Sequence, residues 1–253
     1  RVQKALSAVV SRVEILLARR AESLFAVSES VAARFREREL DPIILSNYSI
    51  TDLDIPHNPN RSGRNLMIMA GNMQSFHGVG ECIEAVSRIR EHYPDATLTL
   101  VGRVREDLND RIGGSGRDEF ITTTGFLPYR AMYERLNKGV AGLLVFQPTY
   151  YNISIGLPNK LFDYMLLGLP VIASDLPEIR NVVARADCGI LVDPGSVSEI
   201  VDAIAYLFDF PEEAQKMGEN GRQAVLERYN WSAMEADLLQ AYRNLDGSPS
   251  STA

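Results

Sequence analysis

The sequence predicts an α/β protein built on a doubly wound parallel sheet. Between Asn65 and Val192, short and nearly continuous apolar runs alternate with helical stretches. Strands of a parallel sheet read this way because helices cover both of its faces. The runs are bounded by turn residues at the spacing that βαβ units need. In addition, 45% apolar against 23% charged residues over 253 positions supply a core for one large domain or two modest ones.

The elements follow in order. Val2, Leu6, Val9, Val13 and Leu16 have helical spacing, with Arg1, Lys4, Arg12, Arg19 and Arg20 among them. Such a helix packs on a neighbouring sheet with its cations in water, or lies on an anionic membrane through residues 1–20; packing is the expectation. Ser23–Ser28 reads as a strand, Glu29–Leu40 as a helix capped by Ser28, and Pro42–Ser46 as another strand. Thr51–Arg64, with Pro56, Pro59 and Gly63, reads as a linker. Strands are then expected at Asn65–Ala70, Ala96–Val101, Glu119–Thr124, Val140–Phe146, Pro170–Ala173 and Gly189–Val192. Helices are expected near Val79–His92, Glu106–Ile112, Tyr129–Asn137, Pro158–Leu167, Leu176–Ala184 and Val197–Leu207. Pro211–Arg228 and Ser232–Asn244 complete the helices, and Asp246–Ala253 is expected to be a disordered tail.

Several function classes are excluded at this point. The longest apolar stretch, Tyr164–Ala173, is broken by Gly168 and Pro170 and is too short to span a bilayer. Residues 1–40 hold eight basic and five acidic side chains, a net +3, which leaves −10 on the rest of a chain of net charge −7. That balance argues against nucleic acid as a partner. Cys82 and Cys188 lack metal or redox spacing and fit a reducing, cytoplasmic compartment. No HExxH or GxSxG run occurs, and His57 and His92 read as solvated.

Ligands of open α/β sheets bind at the carboxyl ends of the strands, so three loops matter. Gly71–Gly80 (GNMQSFHGVG) runs from a strand into a helix. Gly71, Asn72 and Gly78 would let main-chain amides approach an anion such as a diphosphate, with His77 adding a donor or a positive charge. An ordinary βα turn with an exposed His77 suits the same residues. The second loop, Tyr150–Met165, contains Asn152, Ser154, Asn159, Lys160, Leu161 and Asp163 as candidate contacts. Pro158 suits a first helical turn, Lys160 could neutralise phosphate, and Asp163 could accept from sugar hydroxyls. A surface i,i+3 ion pair between Lys160 and Asp163 is the alternative. In the third, Gly125–Pro128, main-chain groups could meet a base edge while Phe126 or Leu127 forms an apolar wall.

In this order the segments resemble the donor-binding half of a GT-B glycosyltransferase of the retaining family 4 type, also called glycosyl transferases group 1. Pro158–Ile179 (PNKLFDYMLLGLPVIASDLPEI) carries most of the likeness, supported by Met67–Val86, Leu98–Gly102, Thr124–Pro128 and Gly189–Pro194. The resemblance implies a Rossmann-like domain over 61–230, a C-terminal helix over 231–245 and a tail over 246–253. Residues 1–60 then correspond to the end of a largely missing acceptor domain and its linker. It implies a UDP- or GDP-linked sugar as donor, a glycan or lipid-linked acceptor, and no metal or other cofactor. Asp163 would hold the ribose, Phe126 and Leu127 the base, and Gly71, Asn72, His77 and Gly78 the diphosphate. The family's usual first acid falls on Ile155, and the usual arginine and lysine of the glycine loop on Asn72 and His77. No catalytic group can be named within this chain. A non-catalytic nucleotide-sugar-binding subunit is the alternative from another class; an epimerase would need an acid/base set that is not found.

Overall fold

The computed structural model describes residues 2–49, 51, 57–113 and 119–245. They form two compact units, one from residues 2–47 with 231–245 and one from residues 48–230. The expected tail, 246–253, and linker residues 52–56 lie outside the described residues.

In the first unit, α1 (Val2–Ala18) is followed by β1 (Phe25–Ala26), α2 (Glu29–Arg36) and β2 (Ile43–Ile44), with β1 and β2 parallel. Ser28 caps α2 as expected, its Oγ accepting from Val31 N at 3.3 Å. The strands are shorter than their apolar runs because each pairs only with the other, two residues deep. The expected packing of α1 is not found. Leu6, Val9, Val10, Val13, Leu16 and Leu17 stay at least half exposed or close to it, because this unit offers only a two-stranded sheet to pack against. α11 (Trp231–Leu245) belongs to the same unit. Among the described residues, no helix is long and apolar enough to cross a membrane.

The second unit is the doubly wound sheet. Its strands are β3 (Asn65–Met73), β4 (Thr97–Val104), β5 (Ile121–Thr123), β6 (Ala141–Leu144), β7 (Val171–Ser174) and β8 (Gly189–Val192). All pairings are parallel and the order is β5-β4-β3-β6-β7-β8. Between them run α3 (Val79–Ile89), α4 (Asn109–Ile112), α5 (Tyr129–Leu136), α6 (Tyr151–Ser154), α7 (Asn159–Leu166) and α8 (Pro177–Ala186). Then come α9 (Val197–Asp209) and α10 (Pro211–Glu227). The expected helix at 106–112 is a 3-10 turn leading into the short α4, and α6 falls where the sequence suggests only a loop.

Two apolar layers sandwich the sheet. Val79, Ile83 and Val86 of α3 pack with Ile200, Ile204 and Leu207 of α9 on one face. Tyr133 and Leu136 of α5, Phe162 and Met165 of α7, and Ile179 and Val183 of α8 pack on the other. The chain winds outward from β3 through β4 to β5, then returns to the middle at β6 and winds the other way. The loops after β3 and β6 therefore diverge and open a crevice at the carboxyl edge, the topological switch point.

Cys82 and Cys188 are buried and free. His57 is not solvated: its side chain is largely covered, Nε2 lies 3.2 Å from a Glu219 carboxylate oxygen, and burial lowers its pKa.

Candidate functional site

The crevice is built from the ends of β3 and β6 and the start of α7. Contrary to the sequence reading, the turn does not begin at Gly71. β3 continues through Gly71 and Asn72 to Met73, with a register shift against β4 between Met69 and Asn72. The reversal comes later, as a 3-10 turn over Ser75–His77 closed by Gly78 at φ 68°. A side chain there would be strained, and its Cβ would stand 1.9 Å from the Val145 carbonyl oxygen. Gly78 thus lets the β3 loop lie directly against the end of β6. Gln147 N donates to Phe76 O at 2.8 Å and ties the two loops together.

His77 is buried, with only 7% of its surface exposed. Its ring stacks on Phe76 (centroids 4.3 Å apart) and meets Phe146 edge-on at 5.1 Å. Gln74 N–H donates to His77 Nδ1 at 2.9 Å. Gln74 O lies 3.2 Å from the same nitrogen, so the Gln74 main chain holds the ring at Nδ1. Burial, then the charge of Lys160, push its pKa down to about 4. At neutral pH His77 is an N–H donor; the positive charge considered for it is not present.

Lys160 stands in the first turn of α7, with Nζ over the Phe146 ring at 5.7 Å from the centroid. Phe146 therefore has His77 at one side and Lys160 at another. The β3 loop and the start of α7 meet at one place. Burial lowers the Lys160 pKa, and no ion pair holds its ammonium among the described residues. The Lys160–Asp163 pair considered from the sequence is not formed.

Asp163, one turn further along α7, points into the fold. It is 9% exposed, and Oδ1 accepts from Ser49 Oγ at 3.0 Å and from Tyr133 OH at 2.5 Å. Burial raises its pKa, partly offset by those two hydrogen bonds and by the charge of Lys160. Tyr133 OH in turn lies 2.7 Å from Tyr129 OH. Tyr129 opens α5 directly after the Gly125–Pro128 turn, where Phe126 is 70% exposed and Leu127 packs on the core. Tyr48 and Ser49 are fixed at this point too. Tyr48 packs edge-on against Phe162 at 4.7 Å, and Ser49 bridges to Asn230.

The remaining candidates divide. Asn152 and Asn159 are exposed, on α6 and in the first turn of α7, and Ser154 Oγ reaches back to Tyr150 O at the start of α6. Leu161 presents nothing to a ligand. Its side chain is wholly buried in the core and its N–H donates to Pro158 O at 3.0 Å. The sequence does not mark Tyr129, Tyr133, Ser49 or Phe146 as site residues; an i,i+4 tyrosine pair after a Gly-x-x-Pro turn is a faint signal. Asp52-Leu53-Asp54, an acidic pair at D-x-D spacing, lies outside the described residues.

The family model for "Glycosyl transferases group 1" matches residues 51–224. The chain belongs to that family. Among curated relatives, an alpha-D-kanosaminyltransferase of Streptomyces kanamyceticus is 27% identical over 72% of this chain and 46% of its own length. A phosphatidyl-myo-inositol mannosyltransferase of Mycobacterium leprae is 26% identical over 73% of this chain and 48% of its own. The chain spans about half the length of these relatives. Among solved structures, a sucrose-phosphate synthase of Thermosynechococcus elongatus superposes with TM-score 0.77, covering 93% of this chain and 61% of its own, at 18% identity. HepE of Anabaena in complex with UDP gives 0.76 over 92% of this chain and 67% of its own, at 16% identity. At that identity the likeness establishes the fold, a GT-B, Rossmann-like α/β unit.

Proposed function

We propose that this chain is the nucleotide-sugar-binding part of a retaining, family 4 type glycosyltransferase acting in glycan or polysaccharide assembly. One observation carries the reading: Lys160, desolvated and in no close ion pair among the described residues, and the buried His77 ring both lie against Phe146 at the switch point. The helix starts after Gly78, Pro128 and Pro158 open in the same region, each without a side-chain cap. A diphosphate there would meet one full charge and several main-chain amides. As the bond between the anomeric carbon and the diphosphate breaks, charge gathers on the leaving oxygen, and these groups stabilise it. No metal is assigned to that role. Phe126 and Leu127 mark the base end of the site and Asp163 the ribose end.

UDP and UDP-glucose are bound by the Anabaena neighbour, which supports a UDP- or GDP-linked donor for this chain. A glycan or lipid-linked acceptor is carried over from relatives such as the mannosyltransferase. Free, buried Cys82 and Cys188 suit the cytoplasm, and the exposed apolar residues of α1 beside Arg12, Arg19 and Arg20 suit a peripheral membrane contact.

A second reading, a nucleotide-sugar-binding subunit without its own chemistry, is favoured by Ile155 standing where the family has an acid. A thermal-shift panel of UDP, GDP, ADP and their sugars tests the common part. One nucleotide is expected to raise Tm, because a ligand of the native state alone stabilises it. No shift with any of them contradicts both readings; donor hydrolysis by the chain separates them.

A further inference from the structure

The chain Tyr129–Tyr133–Asp163 has a polarity that can be worked out. Asp163 Oδ1 has no hydrogen to give while it accepts from Ser49 and Tyr133. Tyr133 has a single hydroxyl hydrogen, and that hydrogen is committed to Asp163. The 2.7 Å contact between the two tyrosine oxygens must then be made with the hydrogen of Tyr129. The Tyr129 oxygen is left with lone pairs only. Tyr129 is half exposed at the start of α5, and its ring is held edge-on against Tyr133 at a centroid distance of 4.6 Å. Its partner can only be a donor.

Asp163 itself is nine-tenths buried, and its Oδ1 is linked to the half-exposed Tyr129 by way of Tyr133. We propose that the Tyr129 hydroxyl oxygen is a specificity-determining acceptor for a ribose hydroxyl of the bound nucleotide, oriented through Tyr133 by Asp163. The inference rests on the nucleotide-binding reading of the crevice and deepens it. A phenylalanine cannot play this part, and Tyr133 and Ser49 become positioning residues rather than ligand contacts.

The test is calorimetry of the full chain and of Tyr129→Phe with UDP, 2′-deoxy-UDP and 3′-deoxy-UDP, with the GDP and ADP sets in parallel. Tyr129→Phe keeps the ring and its packing and loses only the hydrogen bond to Tyr133, so its Tm is expected to fall by no more than a few degrees. For the nucleotide that binds, the variant is expected to lose about tenfold in affinity. One of the two deoxy analogues is expected to lose a similar factor on the parent chain and nothing further on the variant. That pattern identifies which ribose hydroxyl meets Tyr129. Equal affinity of parent and variant, or the same loss on every analogue, overturns the inference while leaving the crevice in place. Failure of the parent chain to bind any of the nucleotides overturns the reading of the crevice itself.

Discussion

The two edges of the six-stranded sheet use their cations in opposite ways, and α5 and α7 connect them. At the amino edge, the Arg61 guanidinium donates to Asn137 O at 2.9 Å, Gly139 O at 2.7 Å and Gly168 O at 3.3 Å. It also donates to Asn137 Oδ1 at 3.0 Å and to Leu167 O. These are the carbonyls left over where α5 and α7 end, and Arg222 adds a donor to Leu166 O. Burial lowers the Arg61 pKa to about 10, yet its donors are spent on the fold. A cavity of about 370 Å³ opens beside it, where the Arg64 guanidinium pairs with Asp95 and lies over Tyr93 and Phe208, its Nε alone buried without an acceptor. At the carboxyl edge the same two helices begin uncapped, and Lys160 has an aromatic face instead of a carboxylate. The contrast separates a cation that closes helix ends from one whose ammonium is in no close ion pair among the described residues. A large cavity alone would point to the amino edge, opposite the proposed site.

Breaking the amino edge should have the largest effect. Arg61→Met strands several buried carbonyls at once, and a stability loss of about 3 kcal/mol or more is expected from urea unfolding. Nucleotide affinity of the folded fraction should not change. Gly78→Ala comes next: the Cβ collides with Val145 O at a left-handed backbone position, so the β3 loop must shift. A stability loss of about 2 kcal/mol and weakened nucleotide binding are expected together, read by the unfolding midpoint and by calorimetry.

Lys160→Ala sharpens the comparison from the other side. Affinity for a nucleoside diphosphate should fall about tenfold or more while Tm changes little, because the variant removes a desolvated charge that Asp163 offsets only in part and without a direct ion pair. Calorimetry and a thermal scan on one sample distinguish this from Arg61→Met.

The smallest effect concerns pH. Burial and the Lys160 charge push the His77 pKa down to about 4 in the folded chain against 6.5 when unfolded, so between those values the unfolded state binds more protons. Stability from this group is complete above about 6.5 and declines as pH falls toward 4. His77→Gln should flatten that part of the pH–stability curve.

Much of this sheet is legible in the sequence, because its strands are apolar runs cut off by turn residues. α6 is not, since four residues, Tyr151–Ser154, carry no period. The crevice is legible as loops but not as contacts. Glycine at 78 is visible, whereas its reason, a carbonyl of the next strand, belongs to tertiary packing. Tyr133 reads as an ordinary core position of an amphipathic helix. Its hydroxyl matters only because α7 brings Asp163 to it, and Ser49 reaches the same oxygen from 114 residues away. The ion pair expected between Lys160 and Asp163 follows from helical spacing. It fails because α7 turns Asp163 inward against Tyr133 while Lys160 faces Phe146.

Amide chemical shifts of the isotopically labelled chain, followed while UDP, GDP and ADP are added, test the distinction between the edges most directly. For the nucleotide that binds, perturbations should centre on Gly71–Gly78, the Gly125–Tyr129 turn and the first turn of α7, with Arg61–Arg64 unmoved. Perturbations centred instead on the cavity beside Arg61 would contradict the account.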